Sequence, residues 1–326
     1  MVTDRTAAKI VSEHSDADQI AAAADDLLTV RDLLRYAVSR FNAAPLVFGH
    51  GTGTALDEAA FLILESLRLP IDDISPWLDA RLTRSERARL LGLIETRVST
   101  RTPAPYLVGR TYIQGVPFAV DPRVIIPRSF IGELLFRQDL FGPDGALIAD
   151  VDAVERVLDL CTGSGCLAIL AAHLFPNAII DAVELSPEAA EVAAQNIEGS
   201  GFADRIALHR GDLFAPVNSQ SYDLILTNPP YVDAEGMASL PLEALHEPRL
   251  ALDGGSDGLD VVRRIIDQAA DFLTASGALM CEVGRGRTAV EAAYPDLALL
   301  WLDTETSEGE VFWARAEDLA ARGPRS

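Results

Sequence analysis

Val157-Leu158-Asp159-Leu160-Cys161-Thr162-Gly163-Ser164-Gly165-Cys166-Leu167-Ala168 is the stretch that decides the fold. Its first five residues form a short apolar run of the kind buried on both faces of a parallel sheet. The glycines that follow let the backbone approach a ligand closely. The helix they open points unpaired N–H groups toward it. Downstream the same kind of run recurs at Ala178 to Glu184, Ile206 to Leu208 and Asp223 to Leu226, with helical segments between and no internal repeat. One of these helices starts at Ser186-Pro187-Glu188, a capping hydroxyl, a first-turn proline and an acid. Further strands are expected at 278–283, 298–302 and 310–313, and a long helix from about 259 to 273. The pattern predicts an open α/β sheet whose ligands bind at the carboxyl ends of its strands.

Upstream the signal is helical. Leu27, Val30, Leu34, Ala37 and Phe41 recur at steps of three and four, and Phe61, Leu64 and Leu67 mark a second helix. A third begins with Thr83 and Glu86 at capping-box spacing and presents Leu90, Leu91, Ile94 and Val98 on one stripe. Two short strands about a turn, Thr111 to Val120, are followed by Arg123 to Arg128. The expected organisation is a helical bundle over 1–104, a β-hairpin linker over 105–128 and the α/β domain over 129–326.

With 326 residues, 49% of them hydrophobic, the chain can fill two ordinary cores. Its formal net charge of −22, with Lys9 its only lysine, argues against free nucleic acid as partner, because phosphate binding relies on a concentrated basic surface. It suits a basic protein substrate, and equally an ordinary acidic protein rich in arginine. Cys161, Cys166 and Cys281 are too few and wrongly spaced for a zinc cage or disulfide framework, which points to a reducing cytosol. The first thirty residues lack the basic-then-apolar order of a signal peptide, and no apolar run reaches membrane-spanning length. The cytoplasm, with no membrane partner, is the expected location.

Taken alone, the glycine turn is ambiguous. Gly163 to Ala168 also satisfies G-x-G-x-x-A, and Glu184 lies where a dinucleotide fold places its ribose-binding acid, so the turn by itself fits a nicotinamide dehydrogenase as well. Three features favour a pocket for a cationic, adenosine-bearing cofactor: Asp159 inside the strand before the turn, Asp212 after the third strand, and Asn228-Pro229-Pro230-Tyr231 after the fourth. Consecutive prolines fix two φ angles, remove two donors and leave their carbonyls free, so the loop is a rigid acceptor surface. A planar NH2 group offers two coplanar donors to such a surface. The Asn228 oxygen and a proline carbonyl can accept both while Tyr231 covers one face.

At these residues the chain resembles the Asn-Pro-Pro-Tyr class of S-adenosylmethionine-dependent methyltransferases, and within it the protein-glutamine N5-methyltransferases. The likeness extends to Phe118 through Ser129, Asp159 to Cys166, Asn228 to Glu235 and His246-Glu247-Pro248. Pro127-Arg128-Ser129-Phe130-Ile131-Gly132-Glu133-Leu134, Tyr36 to Phe41 and Gly49-His50-Gly51-Thr52 look like the branch acting on the third protein of the large ribosomal subunit. The release-factor branch usually shows Pro-Arg-Pro-Glu-Thr at 127–131, which places release factors second. The resemblance implies a seven-stranded, Rossmann-like methyltransferase sheet. It also implies that Cys161, Thr162, Gly163, Ser164 and Gly165 cradle the methionine part of S-adenosylmethionine, with Asp159 nearby. Glu184 then accepts from the ribose, Asp212 and Leu213 hold the adenine, and Asn228 lies between cofactor and substrate, with S-adenosylhomocysteine as product. Many relatives carry Asp where this chain has Glu184; the carboxylate is kept, with one more methylene.

An adenine-N6 methyltransferase presents the same planar NH2 to the loop, but would need a basic target-recognition region that this chain lacks. Other features have plainer readings. His50 is a loop residue positioning the helical half, since no strand precedes it and no lysine follows. His246 and Glu247 close the loop after Tyr231, Cys161 and Cys166 are small packing residues, and the acids from Asp16 to Asp26 form a solvated stretch before the first helix.

Overall fold

The computed structural model describes residue 23 and residues 25–321, and most of the acidic stretch Asp16 to Asp26 lies outside the described residues. The chain forms two compact units that divide between Gly109 and Arg110. In the first, helices run over Val30–Ala43, Ala55–Leu67, Arg84–Thr100 and Ala104–Val108. Thr29 with Asp32 and Thr83 with Glu86 form reciprocal capping boxes, which satisfy orphan N–H groups and fix where two of these helices start. The apolar stripes meet in a core of Val30, Leu33, Ala37, Phe41, Leu62, Ile63, Leu90, Leu91 and Ile94. Leu33 rather than Leu34 is fully inward, because the stripe is centred one residue earlier than the sequence spacing places it. The Arg97 guanidinium meets Glu58 at 2.6 Å, both side chains fully buried, and His50 is buried in the same unit.

The second unit opens with a hairpin of β1 (Arg110–Ile113) and β2 (Val116–Ala119). Its two turn residues, Gln114 and Gly115, take φ of 49° and 76°, the doubly left-handed turn that matches strand twist. The main sheet has β3 (Arg156–Leu160), β4 (Ile179–Glu184), β5 (Ile206–Arg210), β6 (Tyr222–Thr227), β7 (Leu273–Glu282), β8 (Leu300–Leu302) and β9 (Val311–Arg315). Their spatial order is β5-β4-β3-β6-β7-β9-β8, with β3 to β7 parallel and β9 antiparallel to both its neighbours. The order reverses at β3, so the carboxyl ends of β3 and β6 flank the crevice where ligands enter such sheets.

Strand residues alternate between two cores. Val157, Ile180 and Ala182 face the helix Cys166–Leu174, while Leu158, Leu160 and Val183 face Val262, Ile265 and Ile266 of the helix Asp260–Gln268. The helix expected over 259–273 is α-helical only to Gln268, then tightens into a 3-10 turn over Ala269–Phe272. β7 accordingly starts at Leu273, where the sequence pattern suggests 278. The polar, glycine-containing Thr274-Ala275-Ser276-Gly277 hides it: Gly277 sits where an added Cβ would come within 2.7 Å of the Tyr222 carbonyl oxygen. Among the described residues no helix is long and apolar enough to cross a membrane.

Candidate active site

The chain leaves β3 through Cys161, Gly163 and Gly165, all left-handed, with φ of 58°, 59° and 81°. Cys161 is one of few non-glycine residues in that region, a strained conformation that persists only where its surroundings hold it. Here Thr162 N–H donates to the Val183 carbonyl at 3.1 Å and Gly165 N–H to the Thr162 carbonyl at 2.9 Å. Asp159 anchors the turn from beneath: its Oδ2 accepts from the Thr162 hydroxyl and, at 3.0 Å, from Ala168 N–H. The side chain faces the apolar helix side of the sheet and is fully buried, which pushes its pKa up to about 7. Its Oδ1 has no partner among the described residues.

At the end of β4, Glu184 Oε2 accepts from Gly163 N–H and Oε1 from Ser186 N–H, both at 2.8 Å. Burial raises its pKa, and each oxygen keeps lone-pair capacity toward the cavity. After β5, Leu213 is again left-handed, with φ of 48°. Asp212 beside it accepts from Arg264 at 2.7 Å in a pair whose two side chains are each 49% exposed.

β6 delivers Asn228-Pro229-Pro230-Tyr231 at its carboxyl end, and Thr227 fixes the exit by donating its hydroxyl to the Leu160 carbonyl at 3.0 Å. The half-buried Asn228 amide borders the cavity and has no side-chain hydrogen bond among the described residues. Tyr231 is held on several sides. Its hydroxyl donates to Glu282 at 3.0 Å, and the following Val232 pairs with Leu252 and Gly254 at 2.8 Å each. Glycines let these segments approach: a Cβ on Gly258 would lie 2.4 Å from the Tyr231 carbonyl oxygen, and one on Gly284 2.5 Å from the Tyr231 ring.

These elements enclose one cavity of about 210 Å³. Cys161, Gly163, Glu184, Asp212, Leu213 and Asn228 to Tyr231 all line it, while Asp159, Thr162, Ser164 and Gly165 lie buried behind its wall. Other lining residues are not among the expected site residues. Arg123, Val124, Ile125 and Arg128, read as linker, form part of the wall, as do Leu185, Ser186, Leu250, Val261 and Arg264. The wall from β2 onward is tied down by side chains. Asn196 bonds both backbone groups of Ala119 and also donates to the Ser164 carbonyl at 2.9 Å. Arg128 pairs in bidentate fashion with Glu247, whose side chain is fully buried and also accepts from Ile126 N–H at 3.0 Å. Glu247 thus fastens the loop after Tyr231, and Pro248 joins the cavity wall.

A methyltransferase small-domain family model matches residues 146–255. A ribosomal protein uL3 glutamine methyltransferase of Bradyrhizobium diazoefficiens is 60% identical over 90% of this chain and 92% of its own length. Proteins of the same name from Burkholderia pseudomallei and Bordetella pertussis are 51% and 50% identical over 90% of this chain and 96% and 97% of theirs. Among solved structures, the catalytic domain of hMettl16 in complex with an RNA hairpin is 17% identical over 70% of this chain and 80% of that one, at a TM-score of 0.44, too loose to carry an argument. The fold and the site define an S-adenosylmethionine-dependent methyltransferase. With half to three fifths of its residues shared along nearly its whole length, the chain belongs to the ribosomal protein uL3 glutamine methyltransferases.

Proposed function

We propose that the protein methylates the side-chain N5 of a glutamine in ribosomal protein uL3, with Asn228, Pro229, Pro230 and Tyr231 as the residues that meet the amide. The observation that carries this reading is that the Asn-Pro-Pro-Tyr loop, the glycine turn and Glu184 line the same cavity. The residues fit S-adenosylmethionine. Glu184 retains lone pairs for ribose hydroxyls, Val183, Leu185 and Leu213 offer apolar edges beside Asp212 for a planar ring, and Asp159 anchors the glycine turn from behind the cavity wall, its Oδ1 unpartnered among the described residues. Cys161 to Gly165 hold the methionine part, and Asp212 remains available through its second oxygen. When bound, the cofactor supplies an electrophilic methyl on a sulfonium.

An amide nitrogen is a poor nucleophile because its lone pair is delocalised into its carbonyl. Asn228 Oδ1 and the Pro229 carbonyl accept the two amide N–H bonds, which orients the nitrogen and favours the positive charge that develops on it. Since the Asn228 amide has no side-chain hydrogen bond among the described residues, that acceptance breaks no bond to them and displaces only water. The rigid prolines keep the geometry without reorganisation, and Tyr231 packs the amide plane and excludes water. With the cofactor bound, the nitrogen–carbon bond would form as the methyl–sulfur bond breaks with its electron pair left on sulfur, and the extra proton on nitrogen would leave to water.

A net charge of −22 suits a basic ribosomal protein, and the cytoplasm, where ribosomal proteins are made, is the place of action. The helical unit recognises the protein substrate; undiminished activity after removal of residues 1–100 from a chain that still folds would contradict that assignment. Labelled methyl offered in parallel to uL3 and to a release factor tests the substrate, with uL3 expected to take it. Thermal shift tests the cofactor: S-adenosylhomocysteine raises the melting temperature and NADH does not.

A further inference from the structure

Glu282, the last residue of β7, lies outside every motif and does not line the cavity, yet it ties together segments that do. It is 1% exposed. Oε1 accepts the Tyr231 hydroxyl at 3.0 Å. Oε2 accepts the Ser129 hydroxyl at 2.6 Å and Phe130 N–H at 2.9 Å. In its ionised form the carboxylate accepts from all three partners, with both oxygens engaged. Burial alone opposes ionisation and raises its pKa, and the donors work against that shift. The same anion therefore joins the start of the helix Phe130–Leu134 to the aromatic ring of the reactive loop. One edge of that ring, at Cδ2, Cε2 and Cζ, abuts Gly284, two residues after Glu282, where no side chain would fit. A ring clamped at its hydroxyl and along its edge has one position.

We infer that Glu282 is a positioning residue for methyl transfer, acting through the Tyr231 hydroxyl to hold the ring over the substrate amide. The inference rests on the proposed role of Asn228 to Tyr231. Losing the clamp leaves the ring and the cavity in place but lets the ring swing, so the effect falls on turnover rather than on cofactor binding.

The test compares wild type, Glu282→Gln, Tyr231→Phe and the double variant, with Asn228→Ala as control. Each is assayed for methyl transfer to uL3, for S-adenosylhomocysteine affinity and for melting temperature. Tyr231→Phe keeps the ring and removes only the hydroxyl, so it reads the clamp even where Glu282→Gln folds poorly. The expected result is a fall in kcat of about tenfold or more in each single variant, with S-adenosylhomocysteine affinity within about twofold of wild type and no further loss in the double variant. Unchanged kcat in Tyr231→Phe, or losses that multiply in the double variant, would overturn the inference while leaving the functional reading intact, provided that Asn228→Ala is inactive. Absence of transfer to uL3 by the wild type would overturn the functional reading and the inference with it.

Discussion

Replacing Asp159 with asparagine should change how stability depends on pH, and the sign follows from burial. The native carboxyl is pushed from 3.8 to about 7 by loss of solvent, against which its two hydrogen bonds are insufficient. Because the native pKa is raised, the folded chain binds this proton more tightly than the unfolded chain. The group therefore adds no penalty below pH 4 and a full one above pH 7. Three pKa units correspond to at most about 4 kcal/mol, of which roughly 2–3 kcal/mol develops between pH 5 and pH 8. Asparagine keeps an oxygen for Thr162 and Ala168 and has no charge to bury. The stability difference, variant minus wild type, should thus grow by about 2–3 kcal/mol from pH 5 to pH 8. Glu184 and Glu282 are raised as well, but both proteins contain them and their contributions cancel to first order. Urea unfolding followed by tryptophan fluorescence in a Trp77→Phe background reports on the sheet unit alone, since Trp301 and Trp313 both lie there. A difference that stays flat across this range would refute the argument.

Two further substitutions probe the reactive loop and its supports. Gly284→Ala places a Cβ 2.5 Å from the Tyr231 ring at a φ of 51°, so kcat should fall at least tenfold for a stability cost of about 1–2 kcal/mol, read by steady-state kinetics beside thermal melts. Arg128→Met strips the buried Glu247 of its cation. Because Arg128 is itself 31% exposed, the cost should be about 2–3 kcal/mol, or a melting temperature roughly 4–12 °C lower, partly recovered by Glu247→Gln in the same chain.

The parts of the fold legible in the sequence are those written locally. The capping spacings at Thr83 and Glu86, the glycine turn at 161–165 and the prolines after β6 each fix backbone geometry through neighbouring residues. What was not legible is made by side chains far apart in the chain. Ser129 meets Glu282 across 153 positions and Arg128 meets Glu247 across 119, and no periodicity records such pairs. Arg123 to Arg128 read as linker because nothing in their order shows that the chain turns back to wall the cavity. The start of β7 is hidden by Thr274 to Ser276, which stay at least partly exposed, and by Gly277, which has no room for a side chain beside Tyr222. Asp212 illustrates a subtler gap: its place on the cavity follows from its position after β5, but its pairing with Arg264 depends on a helix 52 residues later.

The most direct measurement is mass mapping of uL3 after incubation with S-adenosylmethionine and either the wild-type enzyme or Asn228→Ala. The account predicts a single added methyl on a glutamine side chain with the wild type and none with the variant. A methyl on any other residue type, or one that persists at the wild-type rate in Asn228→Ala, would contradict it.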